Sequence, residues 1–333
     1  MSPLRPFRVP FRDMGGRGAE PAGPGNRRPR LSRIAQLGCV PAAALLATTL
    51  CAGSAAAAGA PTGIYAGMGT CPLKAAALNN ANDAEVGCTV STVSGGSFTI
   101  GSTVVQIPAS SPITVAFGVY WENNGPTVSF PDGNVANIFS TVAPVGGAEL
   151  TASPIDVPIP GLANFWPGVT SAITQIELAG PITNFAPLAA GENYPLFDLP
   201  IKLHLENVFL GPNCYVGSNS APVLLQPTSG TTSPPAPNKP ISGNPGTINV
   251  SPDPNGFGDA VLGFSGASLV DNSAAVPGAS GCGLFGAFDG IVDALFGLPS
   301  AAGHNTVQFS NVSASIAIDS SAADLSSAIA ASE

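Results

Sequence analysis

Arginine is missing from most of this chain: all eight arginines lie within the first 33 residues, and none occurs in the 300 that follow. Lysine does not compensate. Beyond residue 58 only Lys74, Lys202 and Lys239 face 18 of the 20 acidic residues, a balance of −15. Such a chain has nothing to replace the counterions around phosphates, which argues against nucleic acid as a partner. Anionic membrane surfaces and acidic polymers are disfavoured for the same reason. Histidine is scarce as well. His204 and His304 cannot build a multi-histidine metal site, and no H-E-x-x-H occurs. The chain also has no C-x-x-C pair, no G-x-x-x-x-G-K-[ST] loop and no complete G-x-S-x-G elbow; Ser265 and Ser280 are near misses. No cofactor and no metal is implied.

The cationic residues that are present sit in one place. A basic start up to Arg33, an apolar stretch Ile34–Leu50 and a small-residue run over 53–60 form a secretion signal that is removed on export. Cleavage after Ala58 or Ala60 makes residues 1–58 an N-terminal extension and signal. Residues 1–26 are longer than a signal needs, and Met14 is an alternative start. Arg27-Arg28 invites a twin-arginine reading, which Pro29 and Arg30 weaken. The expected location is the extracellular space or the cell envelope. No downstream stretch is long enough to span a bilayer as a helix. The aromatic girdles of a membrane barrel are lacking too: four Tyr and two Trp supplement the phenylalanines.

Export discards Cys39 and Cys51 and leaves Cys71, Cys88, Cys214 and Cys282. An even number in an oxidising compartment predicts two disulfides. Three pairings are open, and Cys71–Cys88 with Cys214–Cys282 is preferred. Zinc is the competing reading, but spacings of 17, 126 and 68 match no zinc module.

Most of the exported part reads as short strands between Pro, Gly and Asn. In Ile113–Trp121 the large residues Ile113, Val115, Phe117, Val119 and Trp121 share one face, and Thr114, Ala116 and Gly118 are small on the other. That pattern predicts a strand packed on both sides. Residues 97–107, 148–157 and 173–178 are further strand candidates. Leu199–Glu206 alternates, with Ile201, Leu203 and Leu205 inward and Lys202, His204 and Glu206 outward. Near the end the apolar parity flips between Val307, Phe309 and Val312, Ala314, Ile316, which predicts a bulge near Ser310-Asn311. Helices are predicted over 72–84 and 283–298, with a weak, frayed one over 320–333. In the second, Leu284, Phe288, Ile291, Val292 and Leu295 form one apolar stripe with Asp289 and Asp293 opposite. Its simplest role is to cover an open sheet face; docking a lipid or partner is the other.

The fold expected is mainly β: an antiparallel β-sandwich with one or two short packed helices. A β-rich region, 59–227, precedes a Pro/Ser-rich loop or linker, 228–245. A second β-rich region, 246–333, carries helix 283–298 and is disulfide-linked to the first.

Chemistry is hard to find. His204 between Lys202 and Glu206 reads as a solvated polar ladder, and His304 in Gly303-His-Asn305 as a turn residue. Asp253–Asp259 faintly suggests calcium, but a turn held by Asx hydrogen bonds is favoured. Paired carboxylates drawn from distant strands remain open as a hydrolase reading.

The stretch Lys202–Ser218 (K-L-H-L-E-N-V-F-L-G-P-N-C-Y-V-G-S) resembles a family of uncharacterised secreted actinobacterial proteins. Gly230–Pro240 and Gly281-Cys282-Gly283 resemble it too. The resemblance implies export, a β-rich body and a disulfide using Cys214 and Cys282; it implies no activity. The functional expectation is a non-catalytic secreted or cell-envelope protein, acting by binding or as a structural surface component. The alternatives are an extracytoplasmic carrier of a hydrophobic ligand and an extracellular hydrolase. A cell-wall or hydrophobic small-molecule ligand is the expected partner class.

Overall fold

Strict alternation over a few residues, then a turn former, produces short extended segments that need neighbours to satisfy their backbone groups. In a computed structural model, which describes residues 59–161, 166–254, 256 and 260–333, these segments become sixteen strands. They are β1 (Asp83–Ile100), β2 (Thr103–Ile107), β3 (Ile113–Glu122), β4 (Thr127–Ser129), β5 (Val135–Asn137), β6 (Ser140–Val142), β7 (Leu150–Ala152) and β8 (Ile155–Pro158). There follow β9 (Ser171–Leu178), β10 (Leu199–Glu206), β11 (Tyr215–Val216), β12 (Val223–Leu225), β13 (Thr247–Pro252), β14 (Ala260–Asp271), β15 (Ala279–Ser280) and β16 (Thr306–Asp319). Among the described residues two α-helices, α1 (Asp289–Phe296) and α2 (Ala322–Ala330), and short 3-10 turns make up the rest of the regular structure. The signal-like leader lies outside the described residues.

All pairings are antiparallel, and the two main sheets pack as a β-sandwich. The larger sheet has the order β13-β14-β16-β1-β3-β6, with β2 on β1 and β7 on β3; the smaller has β15-β11-β10-β9-β8, with β12 on β10. The chain passes between them at Ser153-Pro154, because β7 pairs with β3 and β8 with β9. The main core fills the space between the sheets. Phe117, Phe309, Val312 and Ile316 come from one side and Ile176, Ile201, Leu205 and Val223 from the other. Phe117 and Phe185 meet edge to face, their ring centres 5.1 Å apart.

A second core covers the opposite face of the larger sheet. Tyr65, Met68 and Leu78, on single turns of 3-10 helix, join Leu325 and Ile329 of α2 over Val86, Val261 and Ala317. This explains the small face of β3: a Cβ at Gly118 would stand 2.6 Å from Pro72 Cγ. The two-sided packing expected of Ile113–Trp121 is observed.

Other local expectations fared differently. The parity flip near Asn311 is real. The β14–β16 register shifts between Phe264, Ala267 and Leu269, opposite Asn311, whose φ is +50°. The helix expected over 72–84 is reduced to one 3-10 turn, Ala76–Leu78. Asn79 turns its amide back onto the Leu73 and Ala75 carbonyls, at 2.8 Å each, and β1 starts at Asp83. The helix expected over 283–298 shrinks to Asp289–Phe296, preceded by a 3-10 turn at Leu284–Gly286. Conversely, α2 is anchored rather than frayed. Ala322, Leu325, Ala328 and Ile329 are buried, and Thr62 bonds the Ser332 carbonyl through both its N–H and its hydroxyl.

The Pro/Ser-rich segment 228–245 is held along its length. Thr228 exchanges backbone hydrogen bonds with Val270, and Asn244 with Ser268. Asn238 donates to the carbonyls of Asn272 and Asn305 at 2.9 and 2.8 Å. Residues 59–333 lie within one compact unit.

Candidate functional site

Where β10 ends, polar atoms are consumed by the backbone and apolar side chains are turned outward. Asn207 Nδ2 donates to the carbonyls of Val169 (3.1 Å) and Ser171 (2.8 Å), while its Oδ1 accepts the Phe209 N–H at 3.0 Å. Val208 N–H bonds Gly168, and Gly211 (φ +74°) lets the chain reverse toward Cys214. Val208 and Phe209 are left 68% and 64% exposed.

Cys214 pairs with Cys282 and Cys71 with Cys88, the preferred of the three combinations. The Cys214–Cys282 link brings a second apolar loop beside the first. Gly283 N–H bonds the Leu210 carbonyl. Asp289 Oδ1 accepts the Cys282 N–H and Asp293 Oδ1 the Ala279 N–H, each at 2.7 Å. The two aspartates expected on the far side of the helix are therefore structural acceptors. Phe285 stands in the left-handed region (φ +56°, ψ +28°) and is 99% exposed. A non-glycine residue held there costs on the order of 1–3 kcal/mol, which the surrounding contacts must offset.

The apolar stripe of 283–298 does not simply cover a sheet, contrary to the simplest expectation. Val292 and Phe296 are buried, but Leu284 and Ile291 remain 76% and 54% exposed and Phe288 is only partly covered. Between α1 and the 207–211 turn runs a groove of about 230 Å³. Phe288, Ile291, Val292 and Leu295 form one wall, and Ile159, Ala172, Phe209 and Leu210 the other. Among the described residues Asn207 is the single polar one lining it, and its amide is fully engaged.

Other hollows differ from this groove in size and lining. A crevice of about 60 Å³ between the larger sheet and the 182–197 connection is lined by Phe117, Ile182, Phe185, Leu269 and Ile316, with Thr89 beside them. Small-molecule sites usually occupy about 300–1,000 Å³, so this one is small for a carrier. A cleft of about 400 Å³ lies between β7 and the part of β9 that β8 leaves unpaired, and both Glu149 and Glu177 line it. Desolvation holds the Glu149 carboxyl above the usual carboxylate range, a bond from Ile182 N–H opposing it. Glu177 faces Lys202 Nζ at 3.4 Å and His204 Nδ1 at 3.7 Å.

His204 does lie on the outer face of β10, but less solvated than expected. Its ring stacks on Tyr215 with centres 4.5 Å apart, and Nε2 lies 3.0 Å from the Pro212 carbonyl. That contact braces the turn into Cys214, and Lys202 Nζ sits 5.0 Å from the Tyr215 ring centre. His304 is exposed in its turn, and Ser265 and Ser280 are exposed on strands. The ring of His204 is directed at Pro212, Glu177 and Glu206, not at a serine. Asp253 Oδ1 accepts the Tyr65 hydroxyl at 2.9 Å; the rest of the calcium-like stretch, at 255 and 257–259, lies outside the described residues. Among the described residues no group of three or more metal-ligating side chains is present, and no helix is long and apolar enough to cross a membrane.

No known protein family, curated protein or solved structure matches the chain.

Proposed function

We propose that this chain is exported to the cell envelope or the extracellular space and acts there as a non-catalytic binding component, holding an apolar partner at the groove beside α1. The observation that carries the reading is the uncovered half of the helix stripe. Phe288 and Ile291 face Phe209 across the groove, and Val208, Leu284 and Phe285 are exposed in the two loops that the Cys214–Cys282 bridge joins. Large apolar residues left exposed around one groove mark an interaction surface. The basic-then-apolar leader and the paired cysteines support the location.

An uncharged apolar dye such as N-phenylnaphthylamine tests the reading. It is expected to fluoresce on binding the protein, and Ile291→Asp, which puts a carboxylate in the groove wall, is expected to weaken binding at least about 10-fold at unchanged melting temperature. A dye response that is absent, or is unaffected by Ile291→Asp, refutes it.

A hydrolase reading has one observation in its favour. Glu149 and Glu177 line one cleft; desolvation holds the Glu149 carboxyl above the usual range, as suits a general acid, and Glu177 lies beside Lys202 and His204. Glu149 acting as the acid predicts that Glu149→Gln abolishes release of reducing ends from neutral glycans. The same substitution has a stability signature. An acid whose folded-state pKa is raised loses stability as pH climbs from the ordinary glutamate range through the raised value. Glu149→Gln is thus expected to leave the melting temperature unchanged near pH 4 and to raise it at pH 7. A lower melting temperature at pH 7 would show that burial does not penalise the Glu149 carboxylate.

A further inference from the structure

We infer that the apolar end is a lipid-docking tip: Phe209 and Phe285 enter the hydrocarbon of an uncharged lipid layer, and the groove beside α1 seats acyl-chain segments. This rests on the groove being the binding surface. The occupant follows from what the groove does not offer. Asn207, its one polar lining residue among the described residues, spends both amide hydrogens and its oxygen on Val169, Ser171 and Phe209. The nearby carboxylates of Asp289 and Asp293 are held by backbone N–H groups. A peptide or sugar would bury its own donors and acceptors here without partners, which is costly, whereas a hydrocarbon chain has none to satisfy. Charge points the same way. No lysine or arginine occurs in 206–214 or 281–298, so nothing attracts anionic headgroups, and the acidic chain repels them.

Shape adds a third argument. The tip residues protrude, and Phe285, 99% exposed on a left-handed backbone, contributes nothing to the core. Protruding rings suit a fluid layer that closes around them, as in interfacial anchors.

Flotation of the purified protein with phosphatidylcholine vesicles tests the inference. Wild type is expected to float with the vesicles, and Phe209→Ser and Phe285→Gly each to reduce partitioning about 10- to 100-fold, the loss expected for one buried aromatic ring. Phe285→Gly also relieves the left-handed backbone, so its melting temperature should match or exceed wild type; Val135→Ser, at an exposed site on β5, should change nothing. Adding phosphatidylglycerol should weaken binding; stronger binding would overturn the charge argument. Dye binding without flotation overturns the lipid inference and leaves the groove reading standing, whereas loss of both removes both. A wild-type dimer that Phe285→Gly turns into monomer, with no flotation, would identify the occupant as a second copy and overturn it as well.

Discussion

Replacing Cys214 and Cys282 together by alanine is expected to cost about 4 kcal/mol of folding stability. The bridge closes a loop with a sequence separation of 68, and loop-closure entropy in the unfolded chain scales with the logarithm of that length. The shorter Cys71–Cys88 loop, with a separation of 17, should contribute about 3 kcal/mol by the same relation. Urea unfolding of the two double variants measures both. The larger loss should belong to the longer loop; the opposite order would mean that residual structure or native strain outweighs chain entropy. The Cys214–Cys282 variant should also lose dye binding out of proportion to its stability, because the 207–211 turn and the 283–288 loop are held side by side through that bridge. Retained dye binding in a folded Cys214→Ala/Cys282→Ala protein would show that hydrogen bonds alone, such as Gly283 to Leu210, hold the tip.

Replacing Asn305 by alanine should cost a comparable amount, about 3–5 kcal/mol, for a different reason. Asn305 is 1% exposed. Its Oδ1 accepts the Gly101 N–H at 3.0 Å, and its Nδ2 donates to the carbonyls of Ala274 (2.9 Å) and Ala301 (3.1 Å). Removing the amide strands the Ala274 carbonyl in the interior and leaves the partly buried Gly101 N–H and Ala301 carbonyl without this partner, at about 1–3 kcal/mol for each group that stays dry. Asn305→Asp sharpens the test. Its carboxylate can still accept from Gly101 but faces two carbonyls, so the loss should be large at neutral pH and smaller in acid, where a protonated side chain donates again. Calorimetric melting of both variants across pH reads this directly. A loss below about 1 kcal/mol in Asn305→Ala would mean that the stranded groups find water.

How legible these features were in the sequence follows from the range over which each is encoded. β10 was legible because its polarity alternates residue by residue, and so was the bulge at Asn311, because parity is a local count. The pairing of cysteines was narrowed to three choices by number alone. Asn305 was read only as part of a turn, since its partner Gly101 lies 204 positions away. Glu149 and Glu177 gave no pattern either, because they share a cleft only where β7 leaves one sheet and β9 borders the gap. The tip does leave a trace in the sequence. Apolar residues continue through Gly-Cys-Gly-Leu-Phe-Gly-Ala-Phe288, where the glycines interrupt the helix, so the large side chains cannot all reach one buried face.

Composition and alternation therefore determined the β class, the turns and the cysteine count, since each depends on neighbours along the chain. Tertiary structure decided which apolar faces are covered and which stay open. The stripe of 283–298 has the same periodicity whether or not a layer lies over it. Only the packing of α1 against the smaller sheet, with the disulfide-held 207–211 turn beside it, leaves Leu284, Phe285 and Ile291 uncovered. Burial is a property of what surrounds a side chain, and at this end of the molecule those surroundings come from segments far apart in sequence.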